Sequence, residues 1–362
     1  MLLLTLLLVP VVIGLVGWLL GKGKITWKEL AVQEAVSIAV IGIGYAIALH
    51  SATSDTELLN STITTKWKDN VHCCHSYDCF CHQSCSGSGD NKSCHESCST
   101  CYRHSQDTRW QAKNGLGEIV YADSCNAPGT AEPLRYKIIT IGDPTASEHT
   151  YVNYIQGNPD AVMKREGIPE KFEKKIPDHP KVFDHYRANR FIAVGLTIPG
   201  LGQLNQKLSE INGRLGPKKQ VNIIVIVVNE EDQSYLKAFT ESWLGGKKND
   251  FIVVLGAPQF PKVSWAGVVS WAKNEKFKED LRVTLLESYS NFDGEKILDK
   301  IETEVKERFE RRHMAEFEYL KDTIEPSKLA SWLLFIFGFL TAIGLQIFFW
   351  HNDPFSKRRS YY

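Results

Sequence analysis

Val221-Asn222-Ile223-Ile224-Val225-Ile226-Val227-Val228 decides the fold of the largest soluble part of this chain. All but Asn222 are β-branched and apolar, and an unbroken run of that kind suits a central strand covered on both faces. Upstream, Leu204, Leu208, Ile211 and Leu215 recur at three- and four-residue steps, one face of a helix that Gly216-Pro217 is expected to end. Downstream, Glu230, Glu231 and Asp232 open a second helix, where carboxylates suit the positive end of the dipole. Its apolar stripe is Tyr235, Leu236, Phe239 and Trp243, and Gly245-Gly246 stops it. The next strand is Asp250 to Leu255. Strand, helix and strand with short connections give a right-handed crossover and a parallel pair.

The chain has 362 residues, 42 Lys and Arg against 42 Asp and Glu, so its formal net charge is zero. Gross basicity is therefore excluded as a route to nucleic-acid binding, and no nucleic-acid partner is expected. Apolar residues make up 43% and charged residues 23%, enough to build a core.

Both ends are nearly pure hydrocarbon. Leu2 to Leu20 is uncharged and long enough to span a bilayer, and Leu329 to Trp350 is a second such run. Ala35 to Leu49 is shorter but spans with its flanks. Lys22, Lys24 and Lys28 follow the first run, and Lys357, Arg358 and Arg359 follow the last. Both basic clusters belong on the cytoplasmic side. Loop 21–30 and the tail are then cytoplasmic, and the N-terminus and residues 51–328 are extracytoplasmic.

Residues 51–105 form a Cys/His-rich module. Cys73, Cys74, Cys79, Cys81, Cys85, Cys94, Cys98 and Cys101 crowd together, and Cys125 follows alone. Ser, Gly and Asp fill the gaps, so the segment needs staples to hold a shape. Disulfides are favoured by an oxidising compartment. The alternative is zinc or another divalent ion on His95, Cys98, Cys101 and His104, which has short ligand spacing. No cofactor is required by any motif. Nine is odd, so at least one thiol is free, shared between chains or metal-bound.

Residues 106–200 read as an irregular connection with short strands at Glu118 to Tyr121, Tyr136 to Ile141 and Phe191 to Val194. Residues 157–185 look like an extended surface connection. Tyr186-Arg187-Ala188-Asn189-Arg190 is its compact polar-aromatic cluster. Residues 201–293 form the α/β domain. From 294 to 328 a long amphipathic helix is expected, with Ile297, Ile301, Val305 and Phe309 as its stripe. That stripe either packs on the α/β domain or, as a stalk over 294–325, joins two copies of the chain. Residues 329–350 are the last span and 351–362 the tail.

The order helix, Val221–Val228, helix, then Trp243-Leu244-Gly245-Gly246-Lys247-Lys248-Asn249-Asp250 leading into Phe251–Leu255 resembles the TPM domain over about residues 200–310. The resemblance implies a three-layer αβα unit on a membrane tether and raises a metal-dependent phosphatase-like activity. Glu230, Glu231 and Asp232, at a strand's C-terminal end, would be its carboxylates. Gly256-Ala257-Pro258-Gln259 stands where many members carry acidic and basic positions. The whole chain is also similar to membrane proteins encoded by tailed bacteriophages, through the two N-terminal spans, the Cys/His module, Tyr151-Val152-Asn153-Tyr154-Ile155, Leu215 to Ile224 and the terminal span. That similarity implies a product in the host inner membrane. No G-x-S-x-G, H-E-x-x-H or phosphate-cradling loop occurs, so a binding role with an envelope protein partner leads.

Overall fold

The computed structural model describes residues 2–20, 25–86, 93–123, 131–158, 167–352 and 354–355. Cys125, Lys22, Lys24 and the basic residues 357–359 lie outside them. In chain order the elements begin with α1 (Leu2–Leu20), α2 (Trp27–Thr53), β1 (Ser54–His72), β2 (Ser76–Ser86), β3 (Ser93–Tyr102), β4 (Gln106–Asn114) and β5 (Ile119–Asp123). Then come α3 (Leu134–Ile138), β6 (Pro144–Val152), α4 (Tyr154–Gly157), α5 (Glu170–Glu173), β7 (Phe191–Val194), α6 (Leu201–Lys219) and β8 (Asn222–Val228). The rest are α7 (Ser234–Ser242), β9 (Asp250–Gly256), β10 (Trp265–Ser270), α8 (Glu275–Ser288), α9 (Gly294–Arg308), a 3-10 helix (Met314–Thr323) and α10 (Lys328–Asn352). The chain divides into two compact units, one of residues 1–56, 150–166 and 313–362, the other of 57–149 and 167–312.

In the first unit α1, α2 and α10 are each long and apolar enough to cross a membrane. The second span is therefore longer than its charge-free run, because Thr26 caps it and Glu29 closes a capping box over a polar first turn. The helices pack around Leu6, Ile41 and Leu334. Gly338 permits that approach, since a Cβ there would lie 2.8 Å from the Ile41 Cδ1. Asp55 accepts hydrogen bonds from the Tyr151 hydroxyl (2.9 Å) and the Asn153 side-chain amide (2.8 Å), fixing α4 beside the end of α2.

The second unit holds a four-stranded sheet in the order β10-β9-β8-β7. β7, β8 and β9 run parallel and β10 closes the edge antiparallel, as the crossover reading requires for β8 and β9. Alternate residues of β8 serve opposite cores. Ile223, Val225 and Val227 face α6, α8 and α9, whereas Ile224, Ile226 and Val228 face α7. This is a three-layer arrangement, and it explains why no polar alternation appears in the strand.

Four sequence expectations are corrected here. The first helix runs through Gly216-Pro217 to Lys219, because proline in the last turn removes a single ladder bond and the left-handed Gln220 ends the helix instead. The second helix starts at Ser234, not at Glu230; Asp232 accepts from the Ser234 amide just ahead of it. Tyr136 to Ile141 is not a strand. Residues 134–138 make a helical turn whose Tyr136 sits against Trp110 and Tyr121, and the Lys66 ammonium donates to the Tyr136 and Ile139 carbonyls. The long helix from 294 ends at Arg308. Phe309 leaves it in an extended conformation and enters the core edge-on to Phe251. Arg311 then meets the buried Glu57 at 2.8 Å. Ile297, Ile301, Val305 and Phe309 all belong to that core, so the stripe is not available as a stalk between copies.

A second sheet, ordered β5-β4-β1-β6, is built around the 19-residue β1. The helix α6 meets β1 backbone to backbone. A Cβ on Gly216 would lie 2.2 Å from the Asn60 carbonyl oxygen, so only glycine fits. Asn60 is held by the buried Arg190 guanidinium and donates to the Val221 carbonyl at 3.0 Å. Burial pulls Arg190 down to about 10, against the opposing pull of Asp250.

Candidate functional site

Beyond the paired region of β1 and β4 the same two strands run on as a narrower ribbon. Val71 lies opposite Asp107 and His72 opposite Gln106 at the end of the first ladder. Ser76 lies opposite Tyr102 at the start of the second, β2 with β3. Between them both strands break, at 73–75 and 103–105, and a single backbone hydrogen bond, Arg103 amide to His75 carbonyl, crosses the gap at 3.0 Å.

Four donor side chains converge at this neck. Cys73, His75, His104 and Asp107 place one ligand atom each within 4.8 Å of one another. His75 Nδ1 is 3.1 Å from Asp107 Oδ2 and 3.2 Å from His104 Nε2; His104 Nε2 is 3.0 Å from Asp107 Oδ1. Cys73 Sγ lies 4.0 Å from His75 Nδ1. Cys73 is a free thiol and is buried. The Asp107 carboxylate has no exposed side-chain surface. Its Oδ2 accepts the Cys74 amide at 3.0 Å, while Oδ1 receives no directed hydrogen bond although His104 stands close. Burial pushes the Asp107 carboxyl up, but the Cys74 amide, the Cys73 thiol and the two imidazoles together hold it below its ordinary value.

Beyond the neck, β2 and β3 carry a nested ladder of disulfides: Cys79–Cys101, Cys81–Cys98 and Cys85–Cys94. Cys74 is disulfide-bonded as well. The ribbon has almost no buried side chain and no apolar core of its own. Such a hairpin is marginal in water, and each crosslink closing a loop of this size removes ~3 kcal/mol of denatured-state entropy. Between Cys79 and His82 the register slips. There Phe80 takes a positive φ of 49° and is 82% exposed, an unusual place for a bulky aromatic. Tyr77 and Tyr102 are also exposed on the ribbon.

The quartet expected from spacing is not assembled. Cys98 and Cys101 are occupied by disulfides to Cys81 and Cys79, so the exposed grouping of Cys98 with Cys81 and Glu96 has no free thiol, His95 sits beside Ser93, and His104 joins a different group at the neck. Short spacing within β3 misled because alternate residues of a strand point to opposite faces. The group at the neck draws on both ends of the ribbon. Asp107 carried no signal of its own in the sequence, though the leftover ninth cysteine and the Cys73-x-His75 and His104-x-x-Asp107 pairs flanking the module did.

Glu230 and Asp232 lie at the C-terminal end of β8 as expected, but each is engaged by a lysine. Lys175 binds Glu230 at 2.6 Å and Lys171 binds Asp232 at 2.5 Å, and these ion pairs hold both carboxyls below their ordinary range. Among the described residues the trio forms no metal-competent group. The cluster 186–190 lines a cleft of about 520 Å³ with Asn205 and Ser209. Tyr186 and Arg190 are themselves buried, so the cleft rim is Arg187 and Asn189.

Comparison of the chain with known protein families, with curated proteins and with solved structures returns no match.

Proposed function

We propose that this is a membrane-anchored binding protein whose disulfide-laddered hairpin, residues 76–102, engages an envelope protein. One observation carries the reading: Phe80 is thrust into solvent from a positive-φ backbone on a covalently stiffened ribbon. A bulky aromatic in that conformation is held there against a local cost, which clusters at recognition sites. Preorganisation by crosslinks lowers the entropy lost on binding, and exposed aromatics are the residue type that anchors protein interfaces. The sequence from 76 to 102 contains Asp78, Asp90 and Glu96 against Lys92 alone, a sign that disfavours an anionic lipid surface and favours a protein.

Disulfides persist in oxidising compartments, which supports an extracytoplasmic ectodomain and a cytoplasmic loop 21–30. On the resemblance read from the sequence alone, we propose that the bilayer is the host inner membrane of a phage-encoded protein and that the ectodomain is periplasmic and TPM-like. The hydrolase alternative draws nothing from Glu230, Glu231 and Asp232, two of which are neutralised by lysine.

The test is a photo-crosslinking amino acid at position 80 of the full chain in membranes, with position 116, on the β4–β5 turn, as the control. A discrete protein adduct specific to position 80, competed by excess purified chain, is expected. Lipid adducts alone, or equal labelling from both positions, would count against the reading.

A further inference from the structure

We infer that Cys73, His75, His104 and Asp107 form a closed zinc site that pins the neck of the hairpin. The donor set is one thiolate, two imidazoles and one carboxylate, the mixture that a borderline-soft, four-coordinate ion takes. Bond lengths of about 2.0–2.1 Å to nitrogen and oxygen put neighbouring ligand atoms of a tetrahedron about 3.3 Å apart. The two ring nitrogens stand 3.2 Å apart, and the Asp107 carboxylate lies 3.0 Å from His104 Nε2 through Oδ1 and 3.1 Å from His75 Nδ1 through Oδ2, so either oxygen is placed to complete the set. A zinc–sulfur bond of about 2.3 Å lengthens the edge to sulfur to about 3.6 Å, and the thiol stands 4.0 Å from His75 Nδ1.

The polar bookkeeping points the same way. His75 Nδ1 faces a nitrogen, a carboxylate oxygen and a sulfur at once, more partners than one ring nitrogen can serve. Asp107 Oδ1 is fully buried without a directed donor, a costly arrangement for a carboxylate oxygen unless a cation faces it. An ion between the two ring nitrogens, the sulfur and Asp107 Oδ1 gives each of them a partner and leaves Oδ2 to the Cys74 amide. Binding displaces the Cys73 thiol proton, and thiolate with carboxylate balances the two charges of the ion.

Cysteine parity adds an independent reason. Each of the other cysteines that the structure describes is in a disulfide, and the one thiol left over is buried beside two histidines and an aspartate. Four protein donors leave no open coordination position, so the role is structural. The site lies where both strands of the ribbon lose their ladder at the same level, and a single backbone hydrogen bond remains. There the ion would set the direction in which the hairpin leaves the sheet.

The test uses the full chain in detergent, purified without chelator. Elemental analysis is expected to give about one zinc per chain. After stripping, Co²⁺ should restore a sulfur-to-metal charge-transfer band with tetrahedral d–d absorption. Cys73→Ser should abolish the charge-transfer band, His104→Ala should weaken cobalt binding at least ~100-fold, and His95→Ala should change neither. Non-reducing peptide maps that retain the three hairpin disulfides would establish that the variants fold. If they do not fold, the wild-type cobalt spectrum decides alone. The inference is overturned if the wild-type chain takes up no stoichiometric metal, if Cys73 is recovered in a disulfide, or if His95→Ala loses metal as His104→Ala does.

Discussion

Asn212 hydrogen-bonds both backbone groups of Ile223, accepting from its amide at 2.7 Å and donating to its carbonyl at 3.0 Å. The pairing begins at Phe191 opposite Val225, so β7 is too short to reach Ile223. A side-chain amide from α6 therefore does the work of an absent strand residue. Replacing it leaves two buried backbone groups without partners. Asn212→Ala should cost ~2–4 kcal/mol, and Asn212→Leu no less, as read from the unfolding midpoint of the purified chain. A loss within the range of ordinary surface substitutions would show that water substitutes there.

Gly216 makes a second prediction about the same helix. Any Cβ at this position meets the backbone of Asn60, which cannot rotate away as a side chain would. Gly216→Ala should destabilise by at least the ~1–3 kcal/mol of overpacking, although alanine is the better helix former. Gly202→Ala, on the same helix with open space at its Cβ, is the control and should be neutral or stabilising.

His179 gives the second unit a pH dependence. Its Nε2 lies 2.8 Å from the buried Asp250. Burial lowers its pKa, but the Asp250 carboxylate more than offsets that and the net shift is upward from 6.5. A raised folded value means a contribution fully present below the unfolded pKa and lost as pH rises through the folded one. Melting midpoints taken from about pH 6 upward should therefore fall across neutral pH, and the fall should shrink in His179→Gln. An unchanged slope would assign the dependence to another group.

The hairpin should respond to reduction separately from the sheet it springs from. No described residue of 76–102 belongs to the apolar clusters of the β5-β4-β1-β6 sheet or of the β10-β9-β8-β7 sheet. Replacing both Cys81 and Cys98 by Ser should speed proteolysis within the ribbon by about tenfold or more while the melting midpoint of the chain stays fixed. Limited digestion followed by mass mapping reads this directly.

How much was readable from the residues depends on where the determining contact lies. Val221 to Val228 declared itself because both faces are apolar, and the three spans did because length and charge suffice. β1 did not, since its inward positions include Glu57 and Asn60, which look like surface residues until Arg311 is brought to the first and Arg190 and the Val221 carbonyl to the second. The end of α9 at Arg308 was equally hidden. Phe317, Leu320 and Ile324 continue the apolar stripe past it, and only the place of Phe309 beside Phe251 shows why the chain turns. The neck quartet needed two distant segments, one offering a cysteine and a histidine and the other a histidine and an acid.

Cys73 and Cys74 are neighbours with opposite fates, one a lone thiol and the other oxidised. An oxidant that engages Cys73 before Cys74 makes a wrong isomer, so the yield of correctly paired chain should depend on an enzyme that shuffles disulfides.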